Sequence, residues 1–434
     1  TGDVHKARLH SLTTNNNNEV IGGTDDPLVL NPELSTYEEN VIWNSLDPTN
    51  VNNKPYDKNL QYYDHYKMFF QTAQTVNNSI FVSGARDRVD FSFGVSDNRQ
   101  ASNFKGNGDF ARTNLSSNLG LELAKNLRFR SITQLVYTKN TQIDPTGRTI
   151  MYALNNSRPF ADYNYKSPDG NYGAYFGDAV GVNGYNPNYQ NQYGDVKDNK
   201  IDIFQNLNLN YRISKYLELD AKYGLNYQTQ DIHNTILDQS TNQNADYWDL
   251  WLEYYSPFTS YGVPSDPKTT GEISNFNYKT VFQNFISTAT IRTDFKKDFG
   301  WNIPIRTSTQ FAYDYRKNVF SQYITYGVDA PPYTPYTADQ MAQTKVQSDR
   351  KTPFVTYGYL VNHRFEIGEF AGISAGFRSD YSSAFGGGSK PFTFPRGDAF
   401  VRVSALNFWN NGKLGTILPE FKLRAAYGEA GIQP

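Results

Sequence analysis

Ile201-Asp-Ile203-Phe-Gln-Asn-Leu207-Asn-Leu209-Asn-Tyr211-Arg-Ile213 is followed, after Ser214-Lys-Tyr216, by Leu217-Glu-Leu219-Asp-Ala221-Lys-Tyr223-Gly-Leu225-Asn-Tyr227. Almost every odd position is apolar. Asp202, Asn206, Asn208, Asn210, Arg212, Glu218, Asp220, Lys222 and Asn226 occupy even ones. Successive side chains of a strand point to opposite faces, so this period predicts two strands joined by a tight turn, each with one apolar face. On a helix the same residues would mix polar and apolar groups around the axis.

The pattern recurs along the chain. Val89, Phe91, Phe93 and Val95 alternate with polar or small residues. Ile303, Ile305, Phe311, Tyr313 and Tyr315 form another odd set, and so do Val355, Tyr357, Tyr359, Val361, Phe365 and Ile367, interrupted by His363. About twelve strands are predicted: 75–84, 88–96, 110–123, 127–138, 201–213, 217–228, 281–294, 301–317, 353–367, 370–381, 396–404 and 421–428. Short connections at 85–87, 124–126, 214–216, 296–300 and 368–369 alternate in strict order with mostly long ones at 96–109, 139–200, 229–274, 319–351 and 382–391. A transmembrane β-barrel has short turns at one end and long loops at the other. A soluble sandwich has no reason to collect its long loops at one end. Several strands exceed the ~9–11 residues that cross a bilayer, so they are expected to rise beyond the outer surface. Residues 1–65, with the polar run of residues 15–18 and turn signals at Pro27, Pro32, Pro48 and Pro55, read as an irregular segment that either lines the barrel or lies in solvent. Residues 66–434 read as barrel strands and extracellular loops.

Composition excludes other classes. The 434 residues hold no cysteine, which rules out a disulfide scaffold and Cys-zinc sites. No apolar run exceeds five residues, the longest being 150–154, so no transmembrane helix is encoded. A net charge of −2 without a basic stripe argues against nucleic-acid binding. Aromatics reach 15%, too many for disorder, while mean hydropathy is −0.65. An alternating membrane barrel averages out polar in this way.

Three stretches carry a family resemblance. They are Tyr63-Asp-His-Tyr-Lys-Met-Phe-Phe-Gln-Thr-Ala with Asn77-Asn-Ser-Ile-Phe-Val-Ser-Gly84; Phe377-Arg-Ser-Asp380-Tyr-Ser-Ser383-Ala-Phe385-Gly386 with Phe392-Thr-Phe394-Pro395; and Lys422-Leu-Arg-Ala-Ala-Tyr427-Gly428-Glu-Ala-Gly431-Ile-Gln433. In that order, from about Tyr62 to the end, they resemble the SusC/RagA family of TonB-dependent outer-membrane transporters. The first looks like the family's first strand pair after its plug. Ile432, where the family often has Asn, and Phe400-Val401, where Gly-Trp is common, depart from the pattern. The resemblance implies a 22-stranded barrel in the outer membrane of a Gram-negative bacterium. It also implies a SusD-like surface lipoprotein as partner, contact with outer-membrane lipid, and TonB acting through a plug region absent from this chain. The chain then reads as a middle portion of a longer transporter. Its expected role is active import of an oligosaccharide or peptide. A passive outer-membrane channel and a secreted or surface β-protein that binds other molecules stay open as alternatives.

No chemistry of bond making is signalled. There is no H-E-x-x-H or P-loop, and His5, His10, His65, His233 and His363 form no ligand spacing. Asp195, Asp198 and Asp202 lack calcium-loop spacing. Neither catalysis, cofactor nor metal is therefore expected. The candidates are loop aromatics. Tyr163, Tyr165, Tyr172, Tyr175, Tyr185, Tyr189 and Tyr193 are interleaved with Asn and Gly, which suits stacking on sugars or gripping peptides. Packing of the loop against itself is the plainer reading. Trp248, Trp251, Tyr254 and Tyr255 lie in a segment with acids Asp231, Asp238, Asp246, Asp249, Glu253, Asp266 and Glu272 against one base, Lys268. That segment is expected either to dock on the partner protein or to stay a solvated acidic loop. Tyr137, Tyr227, Phe295, Trp301 and Trp409, near predicted strand ends, suit interfacial girdles.

Overall fold

The computed structural model describes residues 13–21, 29–31, 36–38, 62–143, 150–151, 154–155, 162–164, 166, 169–172, 186–238, 240–241, 271–386, 390–410 and 416–431. Four short strands near the start, β1 (Thr13–Thr14), β2 (Val20–Ile21), β3 (Val29–Asn31) and β4 (Thr36–Glu38), pair as two small hairpins. The remaining strands form one twelve-stranded antiparallel sheet in strict sequence order. They are β5 (Thr75–Arg86), β6 (Val89–Ala101), β7 (Asp109–Ala124), β8 (Leu127–Asn140), β9 (Gly194–Arg212), β10 (Leu217–Ile236), β11 (Glu272–Asp294), β12 (Ile305–Val328), β13 (Gln343–Ile367), β14 (Ala371–Ser382), β15 (Phe392–Arg402) and β16 (Lys422–Gly428).

Every predicted strand is present, but the loop-side boundaries move. β9 begins at Gly194, which puts Asp195, Asp198 and Asp202 on a strand. β13 runs 25 residues and reaches back to Gln343. At about 3.3 Å per residue that is ~80 Å, far more than a tilted strand needs to cross a bilayer. The connection expected over 319–351 therefore shrinks to 329–342. The sequence hides this because alternation weakens above residue 317, where both faces become mixed. At the turn end the pattern of short connections fails once. Residues 403–421, between β15 and β16, hold a 3₁₀ turn (Val403–Ala405) and a short helix, Asn407–Asn410. Residues 301–304 also lie outside β12.

Strand register lines side chains up across the sheet. One row runs through Phe91, Leu119, Ser131, Leu207, Tyr223, Phe285, Tyr315, Tyr357 and Tyr381. The row on the opposite face beside it runs through Asp90, Gly120, Arg130, Asn208, Lys222, Ile286, Asp314, Gly358 and Asp380. Apolar and polar faces thus persist over nine strands. The apolar face is uncovered: Phe91, Phe311, Tyr359 and Ile373 are 45%, 46%, 51% and 57% exposed. A water-soluble monomer rarely leaves a contiguous apolar surface of this extent. Among the described residues, buried apolar side chains gather instead at the loop end, where Phe69, Leu154, Tyr163, Tyr189, Ile273, Val328 and Met341 lie.

The turns show why their residues were chosen. A helix, α1 (His65–Phe69), precedes the sheet, and between β11 and β12 a short helix spans Phe295–Phe299; the Asp294 side chain caps the latter by accepting from the Lys297 N–H at 3.1 Å. It ends on Gly300 at φ 72°, a conformation open to glycine. Phe295 packs on Trp301 with ring centroids 5.0 Å apart, and Trp409 stacks on Phe421 at 5.2 Å. Lys215 of the neighbouring turn donates to Asp298 at 2.9 Å. This ammonium holds the Asp298 carboxyl below its usual range, and the carboxylate raises Lys215 in turn. The sign follows. A depressed carboxyl stabilises the fold above its ordinary value of 3.8 and loses that contribution as pH falls through the lowered one. The turn is expected to be insensitive between pH 6 and pH 8 and to loosen only under strong acid. Proteolytic nicking near residue 299 as a function of pH checks this; nicking that begins near neutrality would contradict it.

Candidate functional site

The polar face is organised around small residues. Gly120 on β7 lies between Asp90 on β6 and Arg130 on β8. Across it Arg130 Nη2 donates to both oxygens of Asp90 at 2.9 and 3.0 Å, while Nη1 donates to Asn118 Oδ1 at 2.8 Å. A Cβ on Gly120 would meet Arg130 Nη2 at 2.7 Å and an Asp90 oxygen closer still. Gly358 on β13 lies in the same way between Asp314 and Asp380. Arg378 donates from Nε to both Asp380 oxygens at 2.8 Å and reaches across β13 to Asp314 Oδ2 at 3.0 Å. Arg316 adds a second guanidinium to Asp314, at 2.9 Å. In the third case the small residue is Ser374, between Arg364 and Asp398, which meet at 3.0 Å; the Ser374 hydroxyl also donates to Asp398. The pairs Arg130–Asp90, Arg378–Asp314 and Arg364–Asp398 each tie strands that are not neighbours, which backbone bonds cannot do. A groove of about 480 Å³ beside the first of them is lined by Asp90, Glu122, Arg128, Arg130, Asn210 and Asp220.

Two of these residues lie in a stretch that the sequence singled out. In Phe377-Arg-Ser-Asp380-Tyr-Ser-Ser383, Arg378 and Asp380 belong to the middle cluster. Tyr381 stacks on Tyr357 at 4.6 Å and 10°. The Ser382 hydroxyl caps the following 3₁₀ turn by accepting from the Ala384 N–H, and the Ser383 hydroxyl accepts from Val355 N–H at 2.9 Å. The first stretch, by contrast, is not a strand at its start. Asp64 caps α1, accepting from Lys67 N–H at 3.1 Å, and strand structure begins only at Thr75.

At the loop end the described aromatics are brought together and buried. Tyr163 is fully buried, its ring 4.6 Å from that of His65 and 5.7 Å from that of Phe69. Tyr189 and Tyr193, on the helix α2 (Pro187–Tyr193), pack together at 5.0 Å with Tyr172, Ile236 and Leu237 around them. Lys166 lies over the Tyr172 ring at 4.6 Å. Leu237 joins this group to Ile273, Tyr336 and Met341, where the Asp238 N–H donates to Tyr336 Oη at 3.1 Å. Side chains bind the segments to one another: Asn188 donates to the Tyr163 carbonyl at 2.9 Å and Asn191 to the Lys105 carbonyl at 3.1 Å. Burial of Tyr336 pushes its hydroxyl's pKa up. Beside this plateau a groove of about 650 Å³ is lined by Asn18, Tyr62, Lys67, Lys105, Asn164 and Asn188.

Tyr165, Tyr175, Tyr185, Trp248, Trp251, Tyr254 and Tyr255 lie outside the described residues. Of the acids grouped with the tryptophans, Asp231 and Glu272 belong to β10 and β11. His363 sits on the apolar face and pairs with Thr309 Oγ1 at 2.8 Å. No group of three or more His, Asp or Glu side chains able to hold a metal occurs among the described residues. The ion pairs over Gly120, Gly358 and Ser374 were missed by sequence reading. Glycine at a polar-face position inside a strand was the available signal.

No protein-family model and no curated protein matches the chain. Solved structures do. The RagAB peptide transporter aligns with a TM-score of 0.61 at 14% identity, over 88% of this chain and 39% of that one. The RagAB peptide importer in its closed-closed and open-open states aligns at 0.60, with the same identity and coverage. The fold is the wall of a transmembrane β-barrel. The chain spans about two-fifths of the length of these structures. In such a wall the apolar face meets lipid and the polar face lines the lumen. The structures it resembles are transporters rather than enzymes. The aromatic turns at one end and Tyr137 with Tyr227 at the other flank the apolar rows, where interfacial girdles belong.

Proposed function

We propose that this chain forms part of the wall and outer loops of an outer-membrane TonB-dependent importer of the SusC/RagA kind. The observation that carries the reading is the two-faced sheet, with its uncovered apolar surface and ion-paired polar lining. The likeness to the RagAB importer supports it. In this reading a SusD-like lipoprotein and the loops capture an oligosaccharide or peptide, and TonB, acting through a plug region, opens the lumen. Tyr163, Tyr189 and Tyr193 serve capture by holding the loop bases. Direct contact falls to Tyr172 and to Tyr165, Tyr175, Tyr185, Trp248, Trp251, Tyr254 and Tyr255, on cargo or partner. The wall's ion pairs stiffen the lumen against the force of opening.

Detergent extraction followed by mass spectrometry of the intact complex tests this. Co-recovery of a surface lipoprotein with a transporter subunit well above 49.4 kDa is the expected result. A lone species near that mass, extracted without detergent, would replace the importer with a secreted binding protein.

A further inference from the structure

On the lipid-facing side one row just above the last apolar one stands out. Lys279 on β11 and Lys351 on β13 flank Ser321 on β12 in register. Both lysines are exposed. Strands are spaced ~4.8 Å apart, so the two lysine backbones stand about 10 Å apart with the serine hydroxyl between them. The row directly beneath is Val281, Val319 and Pro353. Lys317, half-buried among Gln283 and Val355 on the same face, lies one row deeper, where its stem can lift the ammonium toward the same level. Lys279 also rests over the Tyr227 ring at 5.1 Å. Among the described residues none of the three lysines has a carboxylate within ion-pairing distance. The acids nearest to the lysines on this face, Asp231 and Asp349, stand one row farther out, and Asp231 already accepts from Asn277 Nδ2 at 2.7 Å.

The geometry points to a binding site for the phosphate of an anionic lipid in the outer leaflet, held by Lys279, Lys351 and the Ser321 hydroxyl. This rests on the membrane-barrel reading. Charge complementarity selects the ligand: two unpaired ammonium groups and a hydroxyl face outward at the level of headgroups, with an apolar row below for acyl chains. The outer acids set the height, because a phosphate displaced upward would meet Asp349. Such a lipid would fix β11, β12 and β13 at the membrane surface directly under residues 329–342.

The test uses the protein purified in detergent from its own membrane, with lipid A as probe. Native mass spectrometry measures bound lipid for the wild type, for Lys279→Gln with Lys351→Gln, and for Lys200→Gln with Lys222→Gln on the opposite face. At roughly five-fold per surface lysine, the first pair is expected to weaken lipid A binding about twenty-five-fold, and the second to leave it unchanged. Lys279→Arg with Lys351→Arg is expected to retain it. Equal loss in both glutamine pairs, or none in either, would overturn the site while leaving the barrel intact. So would inorganic phosphate displacing lipid A at equal concentration. A protein that needs no detergent would overturn the membrane reading itself, and the site with it.

Discussion

Gly358→Val is expected to destabilise the sheet by about 3 kcal/mol, an unusually large effect for one substitution on a strand face. A Cβ there would stand 3.1 Å from the Ser379 carbonyl oxygen and nearer still to Asp380 Oδ1. The backbone oxygen cannot give way, and the carboxylate can do so only by leaving Arg378. Arg378 then keeps Asp314 alone, and Asp314, only 8% exposed, already shares its oxygens with Arg316. Ions paired in a partly dry wall lose most when one partner goes and the other stays. Guanidinium unfolding in detergent measures the change, as a lower midpoint at unchanged slope. Gly300→Ala makes the contrast. Nothing lies within 4 Å of its Cβ, so only the left-handed backbone is strained, at about 1 kcal/mol. A Gly358→Val midpoint within error of Gly300→Ala would show that the ion pair across β13 contributes nothing.

Tyr163→Ala is expected to open the loop plateau without touching the sheet. The ring is fully buried against His65 and Phe69, and its removal leaves a cavity costing about 3–5 kcal/mol. That cost falls on a local unit, because the contacts join α1 to the loops rather than to the barrel rows. Amide exchange should therefore speed up by two orders of magnitude or more in His65–Phe69 and Pro187–Tyr193, with β6 to β8 unchanged. If the chain serves the importer proposed above, cargo binding should fall as a consequence of the disordered loop base. Unchanged exchange with lost cargo binding would instead place Tyr163 in direct contact with ligand.

The strands were legible because lipid and lumen impose opposite polarity on alternate residues, and the alternation of Ile201 to Tyr227 is the direct trace of that demand. Their length was less so. Above the bilayer neither face has to be apolar, so β12 and β13 run on through Tyr326 and Lys345 without a period to announce them. The helix between β15 and β16 also escaped, since its four residues, Asn407–Asn410, are too few for a helical period. The loop tyrosines were visible as candidates, but whether each ring turns inward or outward depends on neighbours far along the chain, as when Asn188 reaches the Tyr163 carbonyl.

By itself the sequence determined that the chain crosses its environment as twelve two-faced strands, because side-chain polarity along a strand answers only to the medium on each side. The tertiary structure decided which residues act together. Register alone places Asp90, Gly120 and Arg130 together and, farther along the same row, Asp314, Gly358 and Asp380, and the absent side chain of each glycine leaves room for a guanidinium to reach an aspartate on a separated strand.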